Sequence, residues 1–169
     1  MILAIDPGNF ASGWVLMNEH TYLPVQFGKH DNDYLISYMR KNGPAIRIVV
    51  IEMVASYGMA VGREVFETCR EIGRLEQAAI DLGYGVTFVY RKEEKMQICG
   101  SMKANDATIR QALVDRFAYG TPNYGKGTKK KPGWFYGFKA DIWQAYAVGV
   151  TYLDKAKERS GTWTTSTSD

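Results

Sequence analysis

Met1-Ile2-Leu3-Ala4-Ile5-Asp6-Pro7-Gly8 reads as an apolar strand that ends in an acid and is turned by proline and glycine. Gly13-Trp14-Val15-Leu16-Met17 follows as a second strand, and the polar turn Asn18-Glu19-His20 leads to a third around Tyr22–Phe27. Connections this short join antiparallel neighbours, so the three strands form a meander. Further along, Ile46–Ile51 is a run rich in isoleucine and valine, suited to a strand buried on both faces. It too ends in an acid, Glu52.

Helices fill the intervals. Asp31-Asn32-Asp33 offers an N-cap, Tyr34, Leu35, Tyr38 and Met39 form an apolar stripe, and Gly43-Pro44 ends the helix. Phe66, Cys69, Ile72, Leu75, Ala79 and Leu82 predict a helix over Arg63–Leu82, with Gly83 as its C-cap. Val86–Tyr90 reads as a strand, Ala107–Phe117 as a helix capped by Asn105 or Asp106, and Asp141–Leu153 as a last amphipathic helix. The small residues Ala145 and Ala147 suit close packing of that helix on the sheet. The expected architecture is α/β: a mixed sheet, antiparallel meander plus parallel strands, flanked by helices. One domain is expected over 1–158, with 159–169 as a flexible Ser/Thr-rich tail.

A length of 169 residues fits one domain, and 46% hydrophobic residues suffice for a core. The net charge of +3 gives no strong vote for nucleic acid, so the distribution of charge matters more. Cys69 and Cys99 lack metal-ligand spacing and read as reduced core thiols. Without an apolar run of about 20 residues or a secretory segment, the expectation is a soluble cytoplasmic protein with no membrane partner.

Asp6 and Glu52 both stand at carboxyl ends of strands, where α/β sheets place their ligand sites. One such acid is explained by capping a turn. Two of them, brought together by neighbouring strands, need a charge partner, and Mg²⁺ takes carboxylate oxygens readily. Asp141 opens the final helix, where an acid complements the helix dipole and close packing would carry it toward the strand ends.

These segments together resemble the RuvC family of RNase H-like Holliday-junction resolvases, particularly phage-type members. Ile2–Gly8 with Ser12-Gly13-Trp14 is similar to the family's first motif, and Val50-Ile51-Glu52-Met53-Val54 to the second. Lys95-Met96-Gln97-Ile98-Cys99-Gly100 is similar to a lysine-containing segment ahead of a helix, and Asp141–Ala147 to the closing acidic helix. The motifs fall in order and span nearly the whole chain. The resemblance implies a structure-selective DNA endonuclease that leaves a 5′-phosphate and a 3′-hydroxyl, in a bacterial or phage-infected cell. Asp6, Glu52 and Asp141 would bind two Mg²⁺ ions (or Mn²⁺), and Lys95 would position the phosphate.

One departure stands out. The family's last motif carries two acids three residues apart, and here the second position is Gln144, which coordinates without supplying charge. Asp106, at a helix start, is a candidate compensating ligand or a simple N-cap. For DNA contact the candidates are Lys103, Lys126, Lys129, Lys130 and Lys131, the last four in the Gly- and Lys-rich loop Gly120–Gly133, beside Trp134, Phe135 and Tyr136. Tyr57 and Arg63, after the glutamate motif, are further candidates, and the Arg63–Leu82 helix serves either a homodimer interface or the core. Two other readings share these features: a junction-binding protein without useful cleavage, and a ribonuclease H acting on RNA–DNA hybrids. An actin-like ATP-binding domain would need a second lobe that a chain of this length does not supply.

Overall fold

The computed structural model describes residues 1–161. Five strands form one sheet: β1 (Ile2–Asp6), β2 (Ala11–Met17), β3 (Pro24–Asp31), β4 (Ile48–Met53) and β5 (Gly85–Tyr90), in the spatial order β3-β2-β1-β4-β5. β3, β2 and β1 are antiparallel neighbours, whereas β1, β4 and β5 run parallel. The expected mixed sheet is therefore present. α1 (Asn32–Lys41) and α2 (Arg63–Asp81) cover one face. α4 (Asp106–Phe117) and α5 (Ala140–Gly161) cover the other, and α3 (Arg91–Cys99) leads directly out of β5.

Strand parity assigns each residue to a face, because successive side chains point to opposite sides. On β1, Ile2 and Ala4 pack under α5, while Leu3 and Ile5 pack under α1 and α2. On β4, Val50 joins the α5 side, while Val49 and Ile51 join the other. Continuing the alternation puts Asp6 and Glu52 both on the α5 side. The parallel register Ile5↔Ile51 makes them neighbours.

Two glycines bring α5 down onto that face. A Cβ on Gly13 would lie 2.5 Å from the Asp141 carbonyl oxygen, and one on Gly149 would lie 2.3 Å from Met17 Sδ. Ala145 and Ala147 are fully buried, as their size suggested.

Several boundaries differ from expectation. β3 starts at Pro24, two residues late, because Tyr22 turns the chain at φ 65° and anchors there by donating its hydroxyl proton to Asp154 at 2.7 Å. β4 runs on through Glu52. α3 was not expected at all. Its Arg-Lys-Glu-Glu-Lys-Met-Gln sequence has no apolar stripe, yet Glu93 caps it by accepting from the Tyr90 N–H at 2.6 Å. Asn105, not Asp106, caps α4, accepting from the Thr108 N–H at 3.0 Å. Cys69 is exposed rather than in the core, and both cysteines are free. α5 extends to Gly161, three residues into the expected tail; the remainder of that tail lies outside the described residues. No helix among the described residues is long and apolar enough to cross a membrane.

Candidate active site

The carboxyl ends of β1 and β4 place Asp6 beside Glu52. Burial pushes Asp6 up to about 8, helped by the charges of Glu52 and Asp141. Burial likewise raises Glu52, while Arg91 pulls it back down. The two carboxyls lie close enough that Glu52, by its charge and by hydrogen bonding, favours the protonated form of Asp6. A third acid, Glu94 on α3, is fully buried, and burial with the Glu52 charge pushes it up to about 9. Its Oε1 has no hydrogen-bond partner.

Two cations stand among these acids. Lys29 lies in the same cross-sheet row as Asp6, through the register Asp6↔Gly13↔Lys29, and pairs with Asp141 above Gly13. Arg91, at the start of α3, donates from Nη1 to Glu94 Oε2 at 2.5 Å and to Gln144 Oε1 at 2.7 Å, and from Nη2 to Asp106. Burial works against the Arg91 charge, but Glu94, Glu52 and Asp106 outweigh it and raise its pKa. Sequence reading missed Lys29, Arg91 and Glu94. Arg91 and Glu94 sit in a charge-rich stretch that looks solvated, and only the Arg91–Glu94 spacing of three within a helix would have hinted at an internal pair.

The expected ligands thus divide in two. Asp6 and Glu52 are in contact, with Asp141 next to them but engaged by Lys29. Gln144 and Asp106 are joined to each other through Arg91. Among the described residues, no three Asp, Glu, His or Cys side chains form a ready metal cluster. Lys29 pairs with Asp141, and Arg91 pairs with Glu94 and Asp106. The chemistry of the remaining pair still fits a hard divalent cation: two partly buried carboxylates, one of which otherwise keeps its proton.

Lys95 lines a cleft with Arg91, Asn105 and Asp106. Lys103 is exposed. The lysine loop is a built hairpin, closed by a Gly127↔Pro132 bridge and by the Gly133 N–H donating to the Lys126 carbonyl at 2.8 Å. Lys129, Lys130 and Lys131 project at its exposed tip, and Lys126 is half-buried. Of the three aromatics beside the loop, two are turned into the protein and so are not free to stack on unpaired bases. Phe135 is buried against Phe138, Trp143 and Tyr146, and half-buried Trp134 donates to the Tyr146 hydroxyl at 3.0 Å; only Tyr136 remains exposed. Tyr57, at φ 47°, and Met59 line an apolar cleft that reaches Glu52 and Arg91. Arg63 opens α2 and pairs with Glu67 at 2.6 Å.

Solved structures share this architecture. Thermus thermophilus RuvC in complex with a Holliday junction substrate is 11% identical, with a TM-score of 0.68 over 94% of this chain and 96% of that one. The fold is RuvC-like. A second Thermus thermophilus RuvC structure, 15% identical, gives a TM-score of 0.64 over the same shares. No family model and no curated protein matches the sequence. The RuvC-like topology accounts for the placement of Asp6 and Glu52 at adjoining strand ends under the last helix.

Proposed function

We propose that this chain is a divalent-metal-dependent endonuclease that hydrolyses phosphodiesters in branched DNA, with four-way junctions as its substrate. The Asp6–Glu52 pair carries the reading: two neighbouring carboxylates at adjoining strand ends on the α5 face of a RuvC-like sheet, with Asp141 near enough to raise Asp6 by its charge. The junction-bound RuvC neighbour supports the choice of substrate. Asp6 and Glu52 would hold Mg²⁺, or Mn²⁺ in its place, and Asp141 would join them on leaving Lys29. When bound, such an ion polarises the phosphate and acidifies a water. Gln144 keeps its carbonyl oxygen on Arg91 and adds no charge to the set, so the acidic partners come from Asp6, Glu52 and Asp141. Lys95 faces the cleft where a strand would pass, and the Lys129–Lys131 tip offers a second phosphate contact.

Two active sites suit a two-fold junction, and the outer face of α2 leaves Phe66 63% and Ile80 50% exposed beside Cys69. That face supports a homodimer, which light scattering of the purified protein would register as twice the chain mass.

A second reading, junction binding without cleavage, draws on the engagement of Gln144 by Arg91 and of Asp141 by Lys29. The deciding experiment offers a labelled four-way junction, a linear duplex and an RNA–DNA hybrid in Mg²⁺, Mn²⁺ and EDTA. Paired, metal-dependent nicks confined to the junction are expected. Binding without nicks in either metal would support the second reading, and cutting of the hybrid alone would replace both with a ribonuclease H.

A further inference from the structure

Arg91 holds three partners, and they are not equivalent. Glu94 is fully buried and Gln144 half-buried, so together they fix Nη1 and the plane of the guanidinium. Asp106, on Nη2, has a side chain that is 73% exposed, against 22% for Arg91. An ion pair with so exposed a carboxylate is weak in water and screened by salt. It is the bond that yields most easily to a competing oxyanion. The guanidinium also stands between two clefts, one reaching Glu52 and Tyr57, the other lined by Lys95, Asn105 and Asp106. Lys95 follows Arg91 by one helical turn and presents its ammonium on the same side of α3.

We infer that Arg91 grips a backbone phosphate of the bound strand, and that Asp106 is the stand-in anion that holds the guanidinium until the phosphate displaces it. With Nη1 anchored on Glu94 and Gln144, the Nη2 and Nε edge is presented to phosphate oxygens, the fork geometry in which arginine binds them in pairs. Lys95 adds a second positive charge across the same cleft. This assignment rests on the nuclease reading of the site, and it gives Asp106 a role different from metal ligand or helix cap. Asp106 is a competitor for the DNA, so its removal improves binding.

The two residues therefore carry opposite signs. Binding of a fluorescent four-way junction is measured in EDTA, at salt concentrations from about 50 to 200 mM. Asp106→Asn is expected to bind roughly fivefold tighter, as expected for loss of one weak competing ion pair. Arg91→Gln is expected to bind more weakly, with the slope of log K against log salt reduced by about one. Because Arg91→Gln strands a buried Glu94, Arg91→Lys serves as the folded control: it should keep the salt slope and lose affinity through the missing fork. A merely structural Arg91 would lower thermal stability in these variants without changing the salt slope. Asp106→Asn that binds equally or more weakly, while the wild type binds the junction, overturns the inference. A wild-type protein that binds no DNA sinks the nuclease reading and this inference with it.

Discussion

The β1–β2 turn is flanked by two carboxylate networks, and they are built on opposite terms. On the α1–α2 side, Ser12, Asn32 and Glu71 are buried and fully engaged. Ser12 donates to Asn32 Oδ1 at 2.6 Å, Asn32 donates to Glu71 and to the Gly8 carbonyl at 3.1 Å, and Arg74 donates to Glu71 at 2.7 Å. On the α5 side, burial and mutual repulsion raise Asp6, burial raises Glu52, and Glu94 keeps an oxygen unpartnered. A satisfied buried network fixes backbone; a crowded, unsatisfied one holds unused capacity for a cation. The first network pins the turn that carries Asp6, and the second is what the pinned turn presents.

The difference can be broken most severely at Asp6. Asp6→Asn is expected to lower junction cleavage by more than about a hundredfold, the loss typical of residues that merely support a metal site. Junction binding should be retained, which a gel-shift assay on the same variant would check. Glu71→Ala tests the opposite network. Leaving the buried Asn32 amide without its Glu71 acceptor, while Arg74 keeps Asp33, should cost roughly 1–3 kcal/mol in denaturant unfolding, with Mn²⁺ affinity unchanged. A Glu71 variant that loses metal affinity while keeping stability would erase the distinction.

The α5-side network also makes stability depend on pH. Asp6 and Glu94 hold their protons to about 8 and about 9 in the folded chain, well above the ordinary carboxylate range. As pH rises, the unfolded chain releases those protons first, so stability is greatest in mild acid and declines toward pH 9. Thermal midpoints in EDTA should therefore fall between about pH 5 and 9, and Glu94→Gln should flatten that slope. A steric test lies at Gly13. Gly13→Ala pushes a methyl against the Asp141 backbone carbonyl and should cost about 1–3 kcal/mol, read as a lowered thermal midpoint.

Much of this was legible in the sequence because it follows strand parity. Apolar runs ending in Asp6 and Glu52, with a helix led by Asp141, set the sheet, the faces and the meeting of two acids. What was not legible lacks periodicity. α3 is polar on all sides, so Arg91 and Glu94 looked like surface charges until the fold turned Glu94 inward. Lys29 belongs to the site only through a three-strand register, a pairing that no single segment announces. The aromatic cluster after the lysine hairpin reads the same whether it faces DNA or Tyr146, and packing decided for Tyr146 in two of three positions. The exposure of Cys69 also follows from packing, since only Ile72, Leu75 and Ala79 of the expected α2 stripe turn fully toward the sheet.

If Asp6 and Glu52 hold a metal ion, binding it must displace the proton that burial and Glu52 keep on Asp6. Calorimetric titration with Mn²⁺ near pH 7, repeated in buffers of different ionisation enthalpy, counts the protons released on binding. Release of about one proton per ion by the wild type, with binding and release both lost in Asp6→Asn, is the expected result. Mn²⁺ binding that releases no proton, or that survives Asp6→Asn unchanged, would contradict it.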